Sequence, residues 1–317
     1  VPSPTRVSLA LGSGGARGYA HIGAIQVIEE RGLEVVAIAG SSMGALVGAV
    51  HAAGALPAYT EWALGLTQLD VLRLLDLSLS SPGAIRAERV LARTQELLGG
   101  RLIEDLPIPF TAVATDLAAR REVWFQRGPV DLAIRASIAL PGIFSPVLHN
   151  GRLLVDGGML NPIPIAPTVA VASDLTIAIS LAGGRAHRMG ESAAVETAEP
   201  RPVDEWLDRF RRGAAHAMDT DLARTLLTRF AAAGDNPSPA AAVQSTASQT
   251  LPPGLTKFDV MSQSLEAMQE VVTRYRLAGF PPDLLITVPK DAFHRAGAMI
   301  ELGRRVTSEA LDAAGVS

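Results

Sequence analysis

From Val35 to Tyr59 the chain carries no Asp, Glu, Lys or Arg, and an uncharged run of that length leaves two outcomes. A stretch of about 20 apolar residues is enough to span a bilayer as one helix. The same residues also suit a buried strand, a tight turn and a buried helix in succession. Three features favour the second outcome: Gly40-Ser41-Ser42 interrupts the run, His51 lies inside it, and Pro57 ends it. Val35 to Ala39 is then a continuous apolar strand covered on both faces, and Met43 to Ala53 a helix stopped by Gly54.

The residues ahead of this run repeat the pattern. Arg6 to Leu11 reads as a strand running into glycines. Tyr19 to Arg31 reads as a helix, apolar at Ile22, Ile25, Val27 and Ile28 and stopped by Gly32. Strand-helix-strand-helix in this order calls for a mostly parallel sheet with helices on both sides. Farther on, Leu56 to Leu98 is mainly helical, and Phe110 to Thr115 and Glu122 to Gln126 are strands around a polar turn. Asp131 to Ala139 is a helix ended by Pro141, and Leu148 to Val155 a hairpin turning at Asn150-Gly151. Ile163 to Ala172 reads as a helix despite Pro164 and Pro167, and Leu175 to Leu181 as a buried strand.

After Gly183 the character changes. Ala, Pro, Ser, Thr and Glu dominate as far as Leu255, and Asp235 to Gly254 has little to bury and reads as loop or disorder. Order returns with a helix over Phe258 to Leu277, a strand over Leu284 to Val288 and a helix over Ala296 to Ala313. The expected fold is a three-layer α/β/α sandwich with a central, mainly parallel sheet. Residues 6–182 form its core, 183–257 are a variable insertion, and 258–317 complete the same domain.

Composition narrows the function classes. A net charge of -4 over 317 residues is too small and too mixed to suggest a nucleic-acid partner or strong attraction to anionic lipid. Lys257 and Lys290 are the only lysines, and the preference for arginine reads first as a bias of genome composition. The absence of cysteine removes disulfides, thiolate metal sites and cysteine nucleophiles together. Val1 to Thr5 is short and polar, and Arg6 to Gly12 is too brief for the apolar core of a signal peptide. These features fit a cytoplasmic protein with, at most, peripheral contact to a membrane. No His, Asp and Glu cluster has metal-ligand spacing, so no cofactor, and no Ca²⁺, is expected.

Three segments carry chemistry. Gly40-Ser41-Ser42-Met43-Gly44 places a serine on a strand-to-helix turn, with glycine two positions away on either side. A sharp turn needs small neighbours at those positions, and the helix that follows directs free N–H groups and the positive end of its dipole at the site. Taken alone, the pentapeptide is also an ordinary helix cap. Gly12-Ser13-Gly14-Gly15-Ala16-Arg17-Gly18 exposes backbone N–H groups that can cradle an anion. Tyr19-Ala20 stand where a phosphate-binding P-loop requires Lys and Ser or Thr, and Arg17 stands where a dinucleotide fingerprint requires Gly. An oxyanion hole requires neither, although a tight strand-to-helix turn explains an isolated loop equally well. Asp156-Gly157-Gly158 ends the apolar strand Arg152 to Val155, and in isolation reads as a turn aspartate bonding its own backbone.

In this order the three segments resemble the patatin-like phospholipase family, whose pattern is G-x-G-G-x-R-G, then G-x-S-x-G, then D-G-G or D-G-A. Ala136 to Pro141 with Phe144 and Pro146, and Asn161-Pro162, are similar to further blocks of that family. The similarity covers Val7 to about Leu181, and Phe258 to Ala313 looks like the tail of the smaller bacterial members. Ser13 departs from the glycine that many relatives carry. The resemblance implies a serine lipid acyl hydrolase acting on an acyl ester or thioester, with Ser42 as nucleophile and Asp156 as proton acceptor. It implies an oxyanion hole from the N–H groups of Gly14, Gly15 and Ala16. Gly12, Gly18, Gly40, Gly44, Gly157 and Gly158 support the turns. Arg17 either orients the glycine-rich loop by an ion pair or lies near a phosphate headgroup. Leu69 to Gly83 is a candidate apolar flap, or an amphipathic helix packed on the core.

Two other readings compete. A Ser-His-Asp hydrolase fills its chain order with Ser42, Asp156 and His294, but that fold places several strands ahead of its nucleophile and only two fit here. A catalytically idle binding or regulatory module would keep the fold and use none of these residues for turnover.

Overall fold

The computed structural model describes residues 3–65, 82–141, 144–183, 257–289 and 295–316. The chain divides into two units, residues 1–186 with 254–317 and residues 187–253. The second lies outside the described residues, as do 66–81, which hold most of the candidate flap, and His294.

Alternation along the first strand, β1 (Arg6–Leu11), sets the layers. Val7, Leu9 and Leu11 enter a large apolar cluster on one face of the sheet, and Ala10 enters a small one on the other. The strand β7 (Leu175–Gly183) beside it divides the same way, with Ile177, Ile179 and Leu181 on the first face and Ala178 on the second. The large cluster receives α1 (Tyr19–Glu30), α2 (Met43–Ala52), α3 (Leu56–Leu64), α4 (Pro82–Leu98), α5 (Val130–Ser137) and α7 (Ala296–Ala314). Small residues on the second face admit Ile163, Ile165 and Leu277, the last from α6 (Lys257–Gly279). The result is a sandwich with helices on both sides of one sheet.

That sheet has eight strands in the order β5-β6-β3-β2-β1-β7-β8, with β4 paired to β3 off this path. The remaining strands are β2 (Glu34–Ser41), β3 (Phe110–Asp116), β4 (Arg121–Phe125), β5 (Val147–His149), β6 (Arg152–Asp156) and β8 (Leu284–Pro289). Pairs among β3, β2, β1, β7 and β8 are parallel, whereas β4, β5 and β6 join by antiparallel pairing. The uncharged run from Val35 to Tyr59 is therefore strand, turn and buried helix, and among the described residues no helix is long and apolar enough to cross a membrane.

The hairpin turns where expected, with Asn150 at φ 49° and Gly151 at φ 73°, both on the side a type I′ turn requires. One expectation fails. Ile163 to Ala172 forms only a 3₁₀ turn over Ala166–Ala170. Pro164 and Pro167 remove N–H donors and obstruct the preceding turn, so Ile163 and Ile165 reach the core from irregular backbone instead.

Candidate active site

Sheet register brings the sequence motifs together. Ser41, the last residue of β2, is opposite Val113 of β3, and the next β3 residue, Ala114, is opposite Asp156 of β6. Ser42 and Asp156 therefore stand level across one intervening strand, with backbones about 10 Å apart at the usual strand spacing. Both side chains project from the ends of their strands into that gap. β6 runs against β3, so its end reaches the site only because this register halts it at Ala114.

Ser42 occupies the turn between β2 and α2 with φ 55° and ψ -125°, a backbone conformation sparsely populated by residues with a Cβ. The turn is tight because α2 starts against the glycine-rich loop. A Cβ on Gly44 would lie 2.1 Å from the Leu11 carbonyl oxygen, and one on Gly40 would lie 2.4 Å from that of Gly44. The Ser42 carbonyl accepts from the N–H groups of Ala45 and Leu46 at 2.9 and 3.1 Å. Its own N–H donates to Ser137 Oγ at 3.0 Å, and that hydroxyl donates to the Val113 carbonyl at 2.6 Å.

Asp156 is buried, with 1% of its surface exposed. Its Oδ1 accepts from the Gly158 N–H at 2.7 Å. Oδ2 is buried and, among the described residues, lacks a hydrogen bond of full geometry. Burial raises the carboxyl pKa from 3.8 to about 6, and hydrogen bonding from the Ser42 hydroxyl and the Gly158 N–H opposes that rise only in part. The Asp156 N–H donates to the Ala139 carbonyl at 3.0 Å.

The glycine-rich loop closes over the start of α2. Gly12 N–H donates to the Ile179 carbonyl at 2.9 Å and Ser13 N–H to that of Pro162 at 2.8 Å, fixing the entry to the loop. The loop then turns through Gly15, at φ 56°, into a 3₁₀ turn over Gly15–Gly18. The first N–H groups of such a turn, here Gly15 and Ala16 with Gly14 ahead of them, have no partner inside it. The turn packs on the residue after Ser42, since a Cβ on Gly18 would lie 2.4 Å from Met43 Cβ. The Asp156 turn meets both other segments: added Cβ atoms would approach Ser41 Oγ to 2.8 Å at Gly157 and Ser13 Oγ to 2.6 Å at Gly158. Arg17 donates to the Leu181 carbonyl at 2.9 Å and lies 3.8 Å from Glu266.

Among the described residues, no histidine has a hydrogen bond or ion pair with Ser42 or Asp156. His21 is fully buried and held neutral by burial, its pKa lowered from 6.5 to about 4. Its Nε2 therefore donates to the Gly12 carbonyl, at 2.8 Å. His51 is at the far end of α2, 3.6 Å from Glu29 and beside a cavity of about 650 Å³, and His149 is in the hairpin near Phe125. Ser137, Ala139 and Pro162 hold the site, and sequence marks them only as members of family-like blocks, because each acts through a partner far along the chain. A second unforeseen group braces the segment after Asp156: Glu122 accepts from Asn161 Nδ2 and Trp124 Nε1, each at 2.8 Å, and pairs with Arg276 of α6. Arg276 also donates to the Leu160 carbonyl at 3.0 Å.

Residues 9–169 match the model of the patatin-like phospholipase family. An uncharacterized NTE family protein of Mycobacterium tuberculosis is 48% identical over 341 residues, which cover 98% of this chain and 92% of that protein. Patatin-like phospholipase domain-containing protein 7 of Mus musculus is 31% identical over 182 residues, 55% of this chain and 13% of the mouse protein. The solved structure of VipD from Legionella pneumophila aligns with a TM-score of 0.44 at 14% identity, over 99% of this chain and 67% of VipD. With the family model spanning half its length and a relative matched nearly end to end, the chain belongs to the patatin-like phospholipase family, membership of which supports lipid hydrolase activity.

Proposed function

We propose that this chain is a serine esterase that cleaves acyl esters of lipids, phospholipids among them, through a Ser42–Asp156 dyad and an acyl-enzyme intermediate. The Asp156 carboxyl supports this reading most directly. It is buried, interacts with the Ser42 hydroxyl and has a pKa near 6. A carboxylate of ordinary pKa is a poor base toward a serine, and raising its pKa improves proton transfer while leaving it ionised at neutral pH.

In the first half-reaction Ser42 Oγ attacks the ester carbonyl carbon while Asp156 takes the hydroxyl proton. The carbonyl oxygen becomes an oxyanion facing the N–H groups of Gly14, Gly15 and Ala16. Fixed donors of this kind each contribute about 3 kcal/mol to transition-state stabilisation. Collapse of the tetrahedral intermediate breaks the bond to the leaving alcohol, which receives the proton from Asp156. Water then attacks the acyl-Ser42 ester with Asp156 as base, releasing the fatty acid and restoring the serine. Membrane contact is peripheral in this reading and serves substrate access, and the protein works in the cytoplasm.

A fluorophosphonate probe and a short-chain nitrophenyl ester test the reading, applied to the native protein and to Ser42→Ala. Labelling and turnover in the native protein should vanish together in the variant. A folded native protein that neither labels nor turns over would overturn it in favour of an idle binding module. His294→Ala should retain activity, since a dyad needs no imidazole. Its loss with the fold intact would point to a Ser-His-Asp triad.

A further inference from the structure

The end of α5 and the residues just after it touch both halves of the candidate dyad. Ser137 Oγ receives the Ser42 N–H at 3.0 Å and donates to the Val113 carbonyl at 2.6 Å. Two residues on, the Ala139 carbonyl receives the Asp156 N–H at 3.0 Å. The Val113 carbonyl is also the group against which the Asp156 turn seats, because a Cβ on Gly157 would come within 2.0 Å of it. Ser137 is fully buried, so water is not present to replace its hydroxyl. Both hydrogen-bonding roles of that hydroxyl are committed to backbone, which leaves it unsuited to act as nucleophile or acid.

Ser42 needs such a holder. At φ 55° its backbone is in a region that residues with a Cβ leave when unconstrained. A change in that torsion would swing Oγ away from Asp156. The N–H bonded to Ser137 is the one whose direction follows that torsion. It is also removed from the pool of oxyanion donors, which leaves that work to the glycine-rich loop and the start of α2.

Resting on the reading of Ser42 and Asp156 as a catalytic pair, we propose that Ser137 is a positioning residue. Its hydroxyl fixes the backbone of the nucleophile, and the same short segment, through Ala139, fixes the backbone of Asp156, so that serine and carboxylate keep one mutual geometry. Ser137→Ala breaks one side of this clamp and leaves the Ser42 N–H without its Ser137 partner. The predicted consequence is a loss in the chemical step with little change in substrate binding.

The test measures kcat, KM and the fluorophosphonate labelling rate for native protein, Ser137→Ala, Ser137→Thr and Ser137→Cys, with thermal melts to establish folding. Misplacement by about 1 Å costs roughly 100-fold in rate. Ser137→Ala should therefore lose about that much in kcat and in labelling rate, with KM within a few-fold of native. Its acid limb in kcat/KM should move to higher pH, because the Ser42 hydroxyl no longer opposes the rise in the Asp156 pKa. Ser137→Thr, which keeps the hydroxyl, should recover most of the rate. Thr94→Val, which removes a buried hydroxyl bonded within α4, should melt lower without the loss in kcat. Native kcat in folded Ser137→Ala would overturn the inference and leave the dyad standing. If the alanine variant does not fold, Ser137→Cys replaces it, its sulfur being a weak acceptor of similar size, and native kcat there is equally fatal. A native protein with neither labelling nor turnover removes the dyad, and this inference falls with it.

Discussion

Replacing Asp156 by asparagine should abolish turnover and make the protein more stable at neutral pH. Burial holds this carboxyl at about 6 against an ordinary 3.8. Between those values the folded chain keeps a proton that the unfolded chain has released, so stability falls as pH rises through the window. Below 3.8 both states are protonated and the stabilising contribution is fully present; above about 6 it is gone. At about 1.4 kcal/mol per pH unit, the loss across the window is on the order of 3 kcal/mol. Asparagine keeps an oxygen for the Gly158 N–H and does not titrate. The stability difference between Asp156→Asn and native protein should therefore grow by about 2.5 kcal/mol from pH 4 to pH 8, with more than half of that above pH 5. A constant offset from repacking leaves this slope untouched. Urea midpoints measured every half unit would trace it, and at roughly 2–4 °C per kcal/mol the same trend should appear in Tm. A difference that stays flat from pH 4 to 8, or one that shrinks as pH rises, would refute the argument that Asp156 is a desolvated carboxylate in the folded protein.

The remaining predictions test other groups of the site. The acid limb of kcat/KM for ester hydrolysis should have its midpoint near pH 6, and activity unchanged down to pH 4.5 would exclude Asp156 as the base. Ser42→Gly should be inactive yet more stable than Ser42→Ala by about 1 kcal/mol, because glycine accepts φ 55° without strain. Equal urea midpoints would show that the elbow holds no such strain. His21 gives the opposite pH trend to Asp156: its folded pKa of about 4 is below the ordinary 6.5, so its contribution is present above 6.5 and lost as pH falls. His21→Gln should flatten the acid side of the native stability profile by up to about 3 kcal/mol, and an unchanged acid slope would show that His21 is not buried neutral.

How far the sequence carried this reading depended on the range of the forces involved. Strands and helices from Arg6 to Ala53 were legible because strand runs, helical spacing and glycine stops are local signals. The Asn150-Gly151 turn was legible for the same reason. Ile163 to Ala172 was misread because its apolar residues have helical spacing, while Pro164 and Pro167 enforce a different backbone and Ala10 and Ala178 across the sheet leave room for it. Ser42, Asp156 and the glycine-rich loop were visible as candidates, since their turns constrain neighbouring residues. Their level placement was invisible, because it is written in the pairing of Ala114 with Asp156. Ser137 was visible only as part of a familiar block, since its role requires the end of α5 to arrive at Val113.

Two costs to stability meet at this site: a serine at positive φ and a carboxyl stripped of solvent. Neither survives folding unless surrounding contacts impose it, and the contacts that do so here are mostly backbone against backbone. Gly44 seats on Leu11, Gly157 seats on Val113, and Ala139 and Pro162 present carbonyls to Asp156 and Ser13. Contacts of this kind require glycine wherever a side chain would intervene, which accounts for Gly12, Gly40, Gly44 and Gly157 without reference to catalysis. Chemistry requires something separate, namely one hydroxyl and one carboxylate in the place where those contacts meet. A chain with glycine in place of Ser42, or asparagine in place of Asp156, would keep the fold and gain stability. In the proposed reading, two costly residues meeting at the junction of three well-packed turns are what hydrolysis requires and what an idle module does not.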